Sequence, residues 1–353
     1  MRQRPMRLTG MRQTGRRLTR RMVVGGALAA GGLCTPMLAR PAQAAQFDWV
    51  LPHAVPASAP LHKRLLEAAA RIGRETDGRM AVTILPDGAR GNSIGLLSQV
   101  RAGSIPLCAV ATQALGAAVP AAATPSAGFA WRSPAVLWRA LDGQLGSLIR
   151  EQAALSLGVV LMDHAWDAAF RNLMTRDKPV RNPDDLAGMR LRVPVDSDTI
   201  SMFLKLGAAP TSIPPADLTR ALVTRRIDGL DGALMYFRTG RIDETQKTCS
   251  LTGHIWDGYW LCAHGKTWSA LPDDLRSIAA RAFDEAAVAQ RQDMINLERQ
   301  AHAALDADGV RFTAIDIRSF RDVLRRADYY AAWTRRVQDT VWSAVEQAAG
   351  HLT

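Results

Sequence analysis

The sequence predicts an α/β protein. Short β-branched runs alternate with amphipathic helical stretches along most of its 353 residues, the alternation that places largely parallel sheets against helices. Gly, Pro and Asp punctuate those elements where turns are needed. Dinucleotide-binding folds share this alternation, but no G-x-G-x-x-G follows a strand here.

The elements follow in order. Phe47–Pro52 reads as a strand. Leu61–Thr76 is amphipathic, with Leu65, Leu66, Ala69 and Ile72 on one stripe, and Asp77-Gly78 stops it. Met80–Leu85 is a strand and Pro86-Asp87-Gly88 a turn. Ser93–Ala102 is a helix closed by Gly103, and Cys108–Ala111 a buried strand. Ala135–Leu155 is helical and Val159–Met162 extended. Asn182-Pro183-Asp184-Asp185-Leu186 is a capped turn with proline just inside its start. Met189–Pro194 is a strand, Asp198–Leu206 a helix ended by Gly207, and Pro215–Thr224 a helix leading to the strand Ile227–Leu230. Leu271–Arg299 and Ile317–Ala348 are helical stretches long enough to brace two lobes.

Charge is uneven. The formal charge is +11, but residues 1–44 hold nine arginines and no acid, which leaves 35 basic against 33 acidic residues in the body. A nucleic-acid footprint needs a basic face on the domain itself, so no nucleic-acid partner is expected. Residues 1–44 read as an export signal: Arg20-Arg21 precede the apolar run Met22–Leu38, and Ala42-Gln43-Ala44 is a small-x-small cleavage site. This is the twin-arginine pattern, and it directs the mature chain to the periplasm. Pro36 and the Gly/Ala content make the run marginal as a membrane span. Cys34 follows Leu33, too bulky a residue to precede a lipidated cysteine. Past the leader remain Cys108, Cys249 and Cys262, read as small buried thiols. The alternative is a Cys249–Cys262 disulfide across a possible hairpin, which an oxidising compartment permits.

No catalytic constellation emerges. Gly91-Asn92-Ser93-Ile94-Gly95 matches G-x-S-x-G, but Pro86–Arg90 separate it from the strand, whereas a nucleophile elbow needs the serine directly between strand and helix. Ser93 reads instead as an N-cap; a secreted serine hydrolase is kept as the alternative function. The seven histidines form no H-E-x-x-H, and neither C-x-x-C nor a P-loop occurs, so no metal or cofactor is expected. Arg171 and Arg192 stand out. Arginine keeps its charge when buried and needs an acceptor. Arg192 lies at the C-terminal end of a predicted strand, where ligands bind in open α/β sheets. Arg190 shares its face, so alternation alone does not choose between them. An internal pair with Asp196, Asp228 or Asp231 is the competing reading.

Ordered motifs then carry a resemblance. "HAVPASAPLHK" (53–63), "GRMAVTILPDGARG" (78–91), "VRAGSI" (100–105), "LDGQLG" (141–146), "FRNL" (170–173), "PDDLAGMRLRVP" (183–194), "LGAAPTSIP" (206–214), "IDGLDG" (227–232), "LTGHIW" (251–256) and "LPDDLR" (271–276) span nearly the whole mature chain. The sequence resembles the solute receptors of tripartite ATP-independent periplasmic (TRAP) transporters, of the dicarboxylate-binding DctP type. The resemblance implies a two-lobe periplasmic binding protein fold with hinge strands and a long bracing helix. It divides the chain into lobe 1 (45–168 and 257–296) and lobe 2 (169–256 and 297–345). It implies no enzyme activity, an organic acid as ligand, hinge closure around it, and delivery to the small and large membrane subunits of the transporter. A sensing receptor for a signalling partner is indistinguishable at this level. By resemblance, Arg192 grips the ligand carboxylate and Arg171 assists. The family often has Gln-Glu-Asn-Pro, whose asparagine contacts substrate, where this chain has Leu230-Asp231-Gly232-Ala233. The amide is lost at Gly232 and room is gained there, which points to a bulkier or more apolar acid than a small dicarboxylate. Trp166, Phe170 and Tyr236 are candidate cleft walls along with Trp256, and Thr112 a candidate donor.

Overall fold

The computed structural model describes residues 45–353. The export signal expected for 1–44, with Cys34, lies outside the described residues. β1 (Phe47–Pro52) and β2 (Met80–Leu85) run parallel, connected by α1 (Pro60–Glu75). α2 (Ser93–Arg101) leads to β3 (Leu107–Ala111), which bridges β1 in parallel at His53–Ala109. The cap of α2 is Asn92, not Ser93: Asn92 Oδ1 accepts from Gly95 N at 3.0 Å. Asn caps as well as Ser does, and Ser93 Oγ is taken by Ala111 N at 3.1 Å.

α3 (Thr112–Ala118) and a 3-10 turn (Pro120–Ser126) follow. The stretch expected as one helix over 135–155 is two, α4 (Pro134–Leu141) and α5 (Gln144–Leu157), because Gly143 leaves the helical region at φ −112, ψ −142. Next come β4 (Val159–Leu161), β5 (Trp166–Thr175), β6 (Arg190–Val193), α6 (Ser197–Lys205), β7 (Ala209–Ser212), α7 (Pro215–Val223), β8 (Gly229–Gly232) and α8 (Leu234–Thr239). The chain closes with β9 (Thr248–His264), α9 (Gly265–Ser269), α10 (Asp273–Ala307), β10 (Arg311–Thr313), α11 (Ile317–Arg326), α12 (Tyr329–Arg336) and α13 (Asp339–Ala349). The second long helical stretch is thus broken. Asp328 turns left-handed at φ 56 after α11, and Val337 is extended after α12.

The sheets are mixed, not largely parallel. β6 runs parallel to β7 and β8, and β10 to β9, but β3, β4 and β5 all run antiparallel to β9. The cause is β9 itself. Its 17 residues pass through both strand groups, pairing with β10 at Thr248–Ser250 and with β3 at Tyr259–Ala263. Cys249 and Cys262 therefore sit at opposite ends of one strand, about 40 Å apart at ~3.3 Å per residue. No disulfide joins them; both are buried free thiols.

The β5–β9 ribbon connects the two strand groups, β9 pairing with β3 and β4 toward one end and β5 pairing with β8 toward the other. Its register slips between Asp167 and Phe170 and again between Arg171 and Leu173, and Ala169 takes the left-handed φ of 75 there. Such bulges bend a strand and redirect its side chains. α10, 35 residues and about 52 Å long, lies along this ribbon. Phe283 and Ala287 share a core with Leu51, Leu65 and Ile72, while Ala301 and Leu305 share another with Leu222, Leu230 and Phe237. In between, Gln290 clamps the Asp167 backbone with two 2.9 Å bonds, Oε1 accepting from N and Nε2 donating to O. A third core lies under α4, α5, α6 and α11–α13.

Gly258 shows how tight the ribbon is. A Cβ there would overlap the Trp256 ring and lie 2.7 Å from the Trp166 carbonyl oxygen. Trp256 is fully buried and anchored by its Nε1–H on Asp167 at 2.8 Å, so it has nowhere to move. Gly258→Ala is expected to destabilise the protein by about 3 kcal/mol, seen as a lower urea midpoint; a midpoint equal to wild type would show that the ribbon yields.

Candidate functional site

The carboxyl ends of β3, β6 and β8 converge on one cleft of about 370 Å³. Val55 just beyond β1 and Ala111 at the end of β3 come from one strand group; Arg192 and Pro194 at the end of β6, with Gly232 and Ala233 at the end of β8, come from the other. This is where open α/β sheets place their ligands.

Arg192 is the distinctive group. It is 8% exposed, and its Nε donates to the Ile213 carbonyl at 3.1 Å. No carboxylate among the described residues pairs with it. The internal partners that sequence left open are engaged elsewhere. Asp228 binds Arg190 at 2.6 Å, Asp231 binds Arg171 at 2.7 Å, and Asp196 caps α6 through Thr199 N at 2.9 Å. Arg190 is exposed and does not line the cleft, which resolves the choice between the two arginines that share a face. Arg192 thus brings an uncompensated guanidinium to the cleft wall, shaped for bidentate carboxylate binding.

Arg171 also reaches the cleft, from β5, but two carboxylates hold it. Its Nε donates to Asp231 Oδ2 at 2.7 Å and its Nη1 to Asp257 Oδ2 at 2.8 Å. Only Nη2 lacks a protein partner among the described residues. Asp231 is fully buried, and its second oxygen, Oδ1, has no partner. Burial alone would raise its pKa; the charge of Arg171 and the bonds from His254 and Arg171 outweigh burial and bring it to about 2. His254 Nε2 lies 3.5 Å from Asp231 Oδ2, and Thr252 Oγ1 lies 2.7 Å from its Nδ1. Burial lowers the His254 pKa below the usual imidazole value, against the opposing effect of Asp231. Asp257 continues the chain of contacts by accepting from Gln113 Nε2 at the start of α3. A line of polar contacts therefore runs from β8 through β5 and β9 to α3, across the ribbon. Asp167 also faces the cleft, with its pKa raised to about 6 by burial against the opposing effect of the Ala169 N–H and Trp256.

Of the expected site residues, Arg192, Arg171, Gly232 and Tyr236 line the cleft. Trp166, Phe170 and Thr112 do not. Trp166 is 1% exposed and belongs to the core of β1, α1 and α10. Phe170 alternates with Arg171 on β5 and so faces the back of the ribbon, near Gly253 and Ile315. Thr112 is fully buried beside the cleft-lining Ala111 and Gln113. Gly232 gives no extra room: a Cβ there would sit 2.9 Å from Tyr236 Cδ1 and 3.0 Å from Phe237 Cε1, so Tyr236 and Phe237 fill the space. Sequence reading missed Asp257, Gln113, Gln290, Met235 and Met294. The one available signal was the D-G pair Asp257-Gly258 inside an aromatic run, which marks a departure from plain strand composition. Ser93 Oγ accepts a backbone N–H and bonds no histidine. No cluster of three or more His, Cys, Asp or Glu able to hold a metal occurs among the described residues.

Comparison with known proteins agrees with this architecture. Residues 51–332 match the family described as bacterial extracellular solute-binding protein, family 7. A solute-binding protein of Roseobacter denitrificans is 25% identical over 264 residues, 74% of this chain and 80% of that one. A crystal structure of a TRAP periplasmic solute-binding protein from Roseobacter denitrificans, with bound β-D-glucuronate, superposes with a TM-score of 0.76 at 25% identity, covering 86% of this chain and 99% of that one. A second, from Sulfurospirillum deleyianum with bound succinate, gives a TM-score of 0.70 at 22% identity over 85% and 98% of the two chains. The two-lobe α/β frame, its cleft and the match over residues 51–332 together establish that this chain belongs to family 7 of the bacterial extracellular solute-binding proteins, the periplasmic receptors of TRAP transporters.

Proposed function

We propose that this protein captures a carboxylate-bearing organic acid in the periplasm, through Arg192, and delivers it to the small and large membrane subunits of a TRAP-type secondary transporter. The observation that carries the reading is a buried guanidinium at the cleft wall with no carboxylate partner among the described residues. Glucuronate and succinate in the two related structures are both carboxylates. Arg171 is the second contact, through its remaining Nη2, and Tyr236 and Gly232 form part of the wall. Export is through the twin-arginine leader, and the two lobes divide at the β5–β9 ribbon, near 168/169 and 256/257. Because the cleft takes residues from both strand groups, a ligand touching both favours the closed arrangement by its differential affinity. The ribbon, with its two register slips, is the hinge.

A thermal-shift screen of the chain from Gln46 onward against organic acids tests this. At a hundredfold excess over Kd a ligand adds about 2.7 kcal/mol, a rise of roughly 4 °C for a chain of this size. Shifts from neutral or cationic solutes, with silence from every acid, would remove the carboxylate reading.

A further inference from the structure

We propose that the cleft selects an acid with one carboxylate, no second negative charge and an apolar body, and that Asp257 is the residue that enforces the single charge. The proposal rests on the reading of Arg192 as the carboxylate anchor. Three aspartates, Asp167, Asp231 and Asp257, face two arginines in the cleft lining. Once Arg192 is committed to the ligand, Arg171 is the only cation left there, and it already serves Asp231 and Asp257. The Asp257 side chain keeps 23% of its surface exposed and also accepts from Gln113. A second ligand carboxylate entering this space would meet no unshared cation and at least one unbalanced aspartate. Like charges a few ångströms apart in such a site cost about tenfold in affinity or more.

Apart from Gln113 and Gln290, whose amides are engaged by Asp257 and by the Asp167 backbone, the remaining wall is apolar. Val55, Leu61, Ala111, Met235 and Met294 line it, with the ring of Tyr236. Apart from the Tyr236 hydroxyl these side chains offer no hydrogen-bond partner, so the hydroxyls of a sugar acid that face them would be stripped of water without replacement. Methionine pairs adapt to irregular apolar shapes. Gly232 offers no side chain to a second polar group of the ligand, and Tyr236 and Phe237 occupy the space beside it.

The test is calorimetric titration of the chain from Gln46 onward with three sets of acids: benzoate, phenylacetate and isovalerate; succinate and malate; glucuronate and galacturonate. The best apolar monocarboxylate is expected to bind at least about a hundredfold more tightly than any dicarboxylate or hexuronate. Asp257→Asn should raise the affinity for succinate relative to that for the apolar acid about tenfold or more. A dicarboxylate or hexuronate that binds wild type as tightly as the best apolar acid, and is lost in Arg192→Ala, would overturn this proposal and leave the anchor standing. An Asp257→Asn protein with unchanged selectivity would remove Asp257 as its source. If no acid in any set binds, the anchor reading fails and this one with it.

Discussion

Arg192→Ala is expected to weaken binding of the acid by about two to three and a half decades. In the proposed binding mode the ligand carboxylate and this guanidinium form a desolvated pair, and truncating one member of such a pair costs about 3–5 kcal/mol, which converts to that range at 1.4 kcal/mol per decade. Arg192→Lys should also bind poorly, because an ammonium cannot reproduce two parallel N–H···O bonds. The Ile213 carbonyl that orients Nε would lose its donor in both variants. Titration calorimetry on the folded variants measures this directly. Wild-type affinity in Arg192→Ala would show that the carboxylate is held elsewhere.

Arg171→Ala should act on stability first. The guanidinium sits between the fully buried Asp231 and the partly buried Asp257, and removing it leaves both without their cation. The expected loss is about 3–5 kcal/mol at neutral pH, or roughly 5–8 °C in Tm for a chain of this size. The pH dependence identifies the mechanism. In wild type the folded pKa of Asp231, about 2, is below its unfolded value near 3.9. Its contribution is therefore present above about pH 4 and lost as pH falls through about 2. Without Arg171, burial, which raises the pKa, is no longer outweighed. The folded pKa then exceeds the unfolded one, and the variant loses stability as pH rises past about 4. Urea melts at pH 4.5 and 7.5 should show a deficit that shrinks at the lower pH. Equal deficits at both would mean that Arg171 acts through packing alone.

Much of the frame was legible from residues. β1 and β2 match their expected limits, and α1, α2, α6 and α7 start and stop within a residue or so, because their periodicity and caps are local. Local signals do not mark β5 and β9 as strands. "TCSLTGHIWDGYWLCAH" is rich in β-formers, yet it is buried on both faces for much of its length, so clean alternation is absent. Its partners lie far away in sequence, which local patterns cannot report. At the site, strand position and charge pointed to Arg192, but only the packed structure shows which carboxylates are already engaged. The same holds for Gly232. Sequence shows a missing side chain; the neighbouring rings of Tyr236 and Phe237 decide whether that leaves a space.

β9 also bears on how the chain folds. Strands of both groups pair with it, and it arrives only at residues 248–264. During vectorial synthesis, β3 and β5 emerge long before the strand they pair with. Neither lobe can close its sheet while the first two hundred and forty or so residues are all that exist. Loop-closure entropy is spent on distant pairings before they yield contacts, and the waiting edges of β3 and β5 are open to wrong partners. Folding should therefore be late, slow and nearly all-or-none across both lobes, with truncation before residue 264 leaving no native half.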